Sequence, residues 1–202
     1  MKTKIIDSLM ILIKQEKHYD DEKLAIIKYG LEGIYLTLSK LIIICVLAYF
    51  LDLFYEIIMF LILYSIIRMT SFGLHAKKSW VCLLSSTTIF VFVPFISLHI
   101  MIPIYLKVII GIILIGLIYK NAPADTHKRP IVNYKRRMIY KYCSTFIAII
   151  YIYCSILINN NFSSNCFIFT LLVQAIIISP LVYKIFKLPY NNYLTYLANN
   201  NI

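Results

Sequence analysis

His75 and Cys82 are the two residues of this chain whose types and spacing could do covalent chemistry. They lie in a polar stretch, Arg68 to Cys82, set between two long apolar runs and carrying Arg68, Lys77 and Lys78. A thiol attacks a carbonyl as its thiolate, so a reactive cysteine needs a base and positive surroundings. Both are adjacent here. On one unbroken helix the seven-residue spacing would put the two side chains on one face but roughly 10.5 Å apart along the axis. Proton transfer needs heavy atoms within about 3 Å, so if the two work together the backbone between them must turn. Gly73, and the polar Lys77, Lys78 and Ser79, favour a loop or broken helix. Cys82 then begins the next helix, where the amino-terminal dipole and the lysines favour the thiolate.

The elements that must position this pair are membrane helices. The chain has 202 residues, 61% hydrophobic and 14% charged, with a mean hydropathy of +0.81, against about 25% charge in a soluble domain. That balance predicts an all-α polytopic membrane protein. The net charge is +11 and no acidic residue follows Asp125, but the lysines sit between apolar runs. They therefore point to anionic lipid headgroups and topology rather than to nucleic acid. Five cysteines, Cys45, Cys82, Cys143, Cys154 and Cys166, form no CxxC pair and no metal-ligand spacing, so neither metal nor cofactor is expected.

Residues 1–33 hold six lysines and six acidic residues among apolar residues at helical spacing. They read as an amphipathic segment along the headgroups, either a plain surface helix or a docking platform for another amphipathic peptide; no cleavable signal peptide is expected. The bundle, 34–186, is expected to hold six spans near 34–51, 53–69, 80–102, 103–119, 142–158 and 166–183, with an active-site loop at 68–82, a basic loop at 120–141 and a short polar tail at 187–202. With both termini cytoplasmic, the cytoplasmic segments carry eighteen of the twenty Lys and Arg residues, and only Lys40 and Lys107 fall inside spans. The positive-inside rule is then met at every loop. A four-span arrangement with re-entrant basic segments would also keep His75 and Cys82 near the inner face.

The order Arg68, Phe72-Gly73-Leu74-His75-Ala76 and Cys82, then Ala122-Pro123-Ala124-Asp125-Thr126 and Lys128-Arg129-Pro130, resembles the AgrB (accessory gene regulator protein B) family over nearly the whole chain. Many members have a second glycine where this chain has Phe72, a departure that bears on loop shape. The resemblance implies a cysteine endopeptidase in the plasma membrane of a Gram-positive bacterium, active at the cytoplasmic face. It implies that such an enzyme cuts a quorum-sensing propeptide of the AgrD type and helps close its thiolactone ring. It also implies Cys82 as nucleophile, His75 as general base, and a homodimer.

Other residues have two readings each. Asp125 could orient His75 or build an Asx-type turn. Arg68 could bind a substrate carboxylate or an oxyanion, or anchor its span to headgroups. Ser86, with Ser85, Thr87 and Thr88, could line a peptide pocket near Cys82 or mediate helix packing. Lys77, Lys78, Lys128, Arg129, Lys135, Arg136 and Arg137 suit the acidic tail of such a propeptide, or lipid and topology. Glu56 is a possible partner for a cation or an acid reaching water. Two alternative functions remain open at this level. One is a transporter or exporter whose path is marked by Glu56, Lys107 and Gln174; the other is a membrane sensor that binds a peptide without cutting it.

Overall fold

Long apolar runs separated by short polar breaks form helices wherever the backbone must satisfy its own hydrogen bonds. In the computed structural model, which describes residues 2–16, 19–74, 79–126 and 130–199, every extended element is a helix. The chain divides into two units, Met1–Leu47 and Ala48–Ile202.

In the first unit α1 (Lys2–Glu16) is followed by α2 (Asp21–Phe50), whose last turn belongs to the second unit. Asp21 and Glu22 in the first turn of α2 complement its amino-terminal dipole. Ile6 and Met10 of α1 bury against Leu24 of α2, and Lys28 pairs with Asp7 at 3.2 Å. Helix α2 runs unbroken through Gly30 and Gly33. The expected boundary between an interfacial segment and a first span at 33/34 is therefore not a structural break.

The second unit comprises α3 (Phe54–Ser71), α4 (Ser79–His99), α5 (Ile104–Asn121), α6 (Tyr134–Leu157), α7 (Asn161–Ile177), α8 (Pro180–Ile185) and α9 (Asn192–Asn199). Helix α7 is its axis, packing against α3, α4, α5 and α6. Twelve of its seventeen residues are buried. The outer helices turn large apolar side chains outward, among them Leu84, Ile112 and Phe146, each at least 60% exposed, a surface that suits lipid and not water.

Several helix limits differ from the sequence expectation, for local reasons. The uncharged stretch 159–165, expected as a turn, is mostly the start of α7, because the Asn160 side chain accepts from the Ser163 amide at 2.9 Å and caps the helix. The expected sixth span 166–183 is not one helix. It stops at Ile177, and Ser179 caps a new short helix with Pro180 in its first turn, where the missing proline N–H costs nothing. Helix α6 begins at Tyr134, capped by Asn133, so Lys135, Arg136, Arg137 and Lys141 lie on a helix and not in a loop. The expected tail, 187–202, is likewise structured in part, as α9.

Among the described residues, five helices are long and apolar enough to cross a membrane: Asp21–Phe50, Phe54–Ser71, Trp80–His99, Ile104–Asn121 and Tyr134–Leu157; Asn161–Ile177 is shorter.

At the end of the second unit where α4 and α6 finish and α5 and α7 begin, Lys107 is buried and its Nζ donates to Ser164 Oγ at 2.5 Å. Ser164 Oγ in turn donates to the Ser155 carbonyl. Asn165 Nδ2 closes the α4 end by donating to the Ser97 and Ile100 carbonyls. A buried ammonium whose one hydrogen-bond partner among the described residues is a hydroxyl contributes little to stability. Lys107→Met is therefore expected to leave the thermal unfolding midpoint of the detergent-solubilised protein unchanged or higher. Ser164→Ala, which strips the partner and keeps the ammonium, is expected to lower stability by about 1–3 kcal/mol. A loss on Lys107→Met larger than that on Ser164→Ala would show that the charge itself is needed.

Candidate active site

The segment that carries the expected chemistry begins where α3 ends. Helix α3 stops at Ser71, Phe72 to Leu74 are non-helical, and α4 starts at Ser79. A non-helical stretch, 72–74, thus precedes residues 75–78, and α4 begins directly after them. His75, Lys77, Lys78, Lys128 and Arg129 lie outside the described residues. Cys82 is the fourth residue of α4 and half-buried.

Arg68 sits in the last turn of α3 and organises the non-helical turn after it. Its guanidinium donates through Nη1 to the Phe72 carbonyl and through Nη2 to the carbonyls of Gly73 at 3.1 Å and Leu74 at 2.6 Å. These charge-assisted bonds satisfy the carbonyls of the non-helical turn that follows α3. The carbonyl-binding role was not among the readings open from the sequence.

The turn bends sharply. Phe72 has φ 54° and Gly73 φ 116°, both in the region that an L side chain occupies at a cost of about 1–2 kcal/mol. For Phe72 the cost is offset by contacts. Its ring packs edge-on against Tyr140 of α6 at 4.9 Å, and its carbonyl also accepts from Gln174 Nε2 at 2.9 Å. Gly73 has no room for a side chain: a Cβ there would strike the Arg68 guanidinium and come within 3.0 Å of Ile177.

A second loop is paired to the first. Gly73 N donates to the Ala124 carbonyl at 2.8 Å and Ala124 N to the Ser71 carbonyl at 3.0 Å, a single parallel bridge between Phe72 and Ala124. The motif Ala122 to Thr126 is therefore a splint for the turn before His75.

Asp125 faces away from that bridge, into the carboxy-terminal segment. Its Oδ1 accepts from the Asn192 amide at 3.1 Å and its Oδ2 from the Tyr193 amide at 2.8 Å. It caps α9. Arg137 lies 3.8 Å from Oδ2 and stacks over the Tyr193 ring at 3.7 Å. Tyr183 donates to the Asp125 carbonyl at 3.1 Å. Burial pushes the neighbouring Tyr190 phenol above its ordinary range, partly offset by Arg137. Asp125→Ala removes a cap, at about 0.5–2 kcal/mol, and strands Arg137, so the expected outcome is release of α8 and α9. Limited proteolysis would then cut after Leu188 faster than in the unchanged protein; equal rates would refute the latch.

The remaining candidates divide. Ser86 donates to the Cys82 carbonyl at 2.6 Å, Ser85 to Val81 at 2.8 Å and Thr88 to Leu84 at 2.9 Å, so these hydroxyls serve their own helix. Lys135 and Arg136 are exposed, and Lys141 lies over the Tyr119 ring at 4.1 Å. Of the three residues a transport path would use, Lys107 is held by Ser164 and Gln174 by the turn, while Glu56 has no ion-pair partner among the described residues. No group of three or more metal-ligating side chains occurs among the described residues.

Two residues at the site were missed in the sequence. Gln174 was read as a transport marker, although its place on α7 brings it to the turn. Tyr64, one helical turn before Arg68, lies within electrostatic range of both Arg68 and Cys82, and its ring meets Phe90 of α4 at 5.3 Å. Neither has a local sequence signal.

Helices of this length and polarity around a buried axis, with a cysteine in the first turn of α4, define a helical integral-membrane protein. Accessory gene regulator B matches residues 6–178. The chain is 29% identical over 196 residues to an AgrB-like protein of Clostridium acetobutylicum, covering 95% of this chain and 94% of that one. It is 33% identical over 190 residues to an AgrB-like protein of Listeria innocua, covering 92% of each. To the accessory gene regulator protein B of Staphylococcus aureus strain MRSA252 it is 28% identical over 183 residues, 89% of this chain and 95% of the other. The chain belongs to the AgrB family. No solved structure gives a significant match.

Proposed function

We propose that this protein is an integral-membrane cysteine endopeptidase that removes the carboxy-terminal part of a quorum-sensing propeptide of the AgrD type and promotes its thiolactone cyclisation. The observation that carries this reading is the placement of Cys82 in the first turn of α4, directly after a backbone break whose approach is braced by Arg68. Helix termini of this kind favour a thiolate.

In this mechanism His75 draws the proton from Cys82, and the sulfur attacks a peptide carbonyl. The peptide C–N bond breaks, the carboxy-terminal fragment leaves as an amine protonated by His75, and an acyl-thioester remains on Cys82. A thiol of the same peptide then attacks that thioester, forming the thiolactone and freeing Cys82. Thiol exchange keeps the bond type, whereas water would discharge it, so a site walled by lipid-facing helices favours cyclisation.

The topology that fits is six spans, with the shorter α7 as the sixth, both termini in the cytoplasm and the Arg68–Cys82 segment at the cytoplasmic face of a Gram-positive plasma membrane. Basic residues on α6 then meet anionic headgroups or the acidic tail of the substrate. A homodimer belongs to the same proposal; crosslinking that recovers only monomers from native membranes would refute it. The test of the chemistry is mass spectrometry of the protein incubated with a propeptide lacking its cyclising thiol. An adduct on the Cys82 peptide with the mass of the amino-terminal fragment supports the reading. Processing without any adduct, and undiminished in His75→Ala, overturns it.

A further inference from the structure

Gln174 lies in the last turn of α7, the helix most enclosed by the others, and is fully buried. Its amide Nε2 donates to Ser71 Oγ at 2.5 Å and to the Phe72 carbonyl at 2.9 Å. Ser71 Oγ in turn donates to the Ile67 carbonyl at 2.6 Å. One carboxamide thus ties the axis of the bundle to the two residues at which α3 ends, three residues ahead of His75. Its Oε1 has no hydrogen-bond partner among the described residues. In an apolar interior a polar side chain is costly unless its bonds are used. Arg68 grips the same turn from within α3, through carbonyls that come after it in sequence; Gln174 reaches it across 102 residues of chain. Arg68 can shape the turn, but where the turn stands relative to α4 and Cys82 is fixed by groups from elsewhere in the fold, Ala124 from its loop and Gln174 from α7. Helix α7 packs against both α3 and α4, so it is placed to do this.

We infer that Gln174 is a positioning residue for the proposed reaction: by holding Ser71 and Phe72 to α7 it sets the path on which the chain delivers His75 to Cys82. This rests on the endopeptidase reading, and the experiment separates the two. In the full-length protein with Cys45, Cys143, Cys154 and Cys166 replaced by alanine, the rate of Cys82 alkylation by iodoacetamide at neutral pH is measured alongside kcat and KM for propeptide cleavage. Gln174→Met keeps length and apolar packing but removes both donors.

Its expected effect is a fall in kcat and in alkylation rate on the order of 10²-fold, the low end of what a general base contributes, with KM changed less than about threefold. If Gln174 acts through His75, then in a His75→Ala background the further change to methionine alters alkylation by less than about twofold, because coupled residues are not additive. A purely structural role would give an additional loss. Should Gln174→Met fail to fold, Ser71→Ala removes one of the two acceptors without touching α7, and a smaller loss, coupled to His75 in the same way, is expected. Undiminished alkylation in these variants, where His75→Ala does slow it, overturns the assignment of Gln174. Undiminished alkylation in His75→Ala itself overturns the endopeptidase reading instead.

Discussion

Cys82→Ala is expected to abolish propeptide processing, leaving no cleaved product and no thiolactone, while the protein still inserts in the membrane and binds the propeptide. Alanine removes the sulfur that the proposed mechanism acylates, and nothing else at that position can replace it. The loss should exceed roughly 10³-fold, as removal of a nucleophile does in other covalent enzymes. Packing should suffer little, because Cys82 is only half-buried and sits in the first turn of its helix. Quantifying cleaved and uncleaved propeptide by mass spectrometry, with protein amount in membranes as control, checks both parts. The result discriminates three functions: a peptide exporter or a non-cleaving sensor would keep transport or binding intact with unchanged propeptide mass in both forms. Processing that persists in Cys82→Ala would remove the catalytic account.

Gly73→Ala should have the next largest effect, although glycine carries no chemistry. Its φ of 116° is open to glycine and strained for alanine, at about 1–2 kcal/mol. The new methyl would also collide with the Arg68 guanidinium and press on Ile177 and Ile178. Arg68 cannot simply swing away, because it holds the carbonyls of Phe72, Gly73 and Leu74, each such bond to a charged group being worth about 1.5–3 kcal/mol. The turn must therefore open, and the next segment, residues 75–78, loses its fixed starting point. A fall in kcat for propeptide cleavage of roughly 10²-fold is expected, corresponding to about 2.7 kcal/mol at the transition state. Gly116→Ala is the control, since a Cβ there meets nothing within 4 Å, and it should process the propeptide at the unchanged rate. If Gly73→Ala keeps more than half of that rate, the turn geometry is not what the reaction requires.

Much of the candidate site was legible because it is local in the chain. Histidine, lysines and cysteine in one polar break among apolar runs are visible as residue types, and if the pair acts together the seven-residue spacing excludes an unbroken helix between them. The helix limits were less legible where capping decided them. Asn160 reads as a turn former until its side chain is seen accepting from Ser163, and Ser179 followed by Pro180 lies inside an apolar run whose hydropathy gives no hint of a restart. Asp125 was legible as important but not as to its task, because its partners, the amides of Asn192 and Tyr193, are 67 and 68 residues away.

The one-dimensional record of hydropathy and charge was enough to determine that this chain is a bundle of membrane-type helices and that a polar break separates two of them, with a cysteine near the start of the second. Both conclusions rest on properties each residue carries by itself: transfer free energy, formal charge and the chemistry of its side chain. Which groups hold that break in shape was decided only by tertiary structure. Gln174 comes to the turn through the packing of α7 on α3, and Ala124 from the loop between α5 and α6, and hydrogen-bond partners brought together by tertiary packing leave no periodicity or motif in the order of residues.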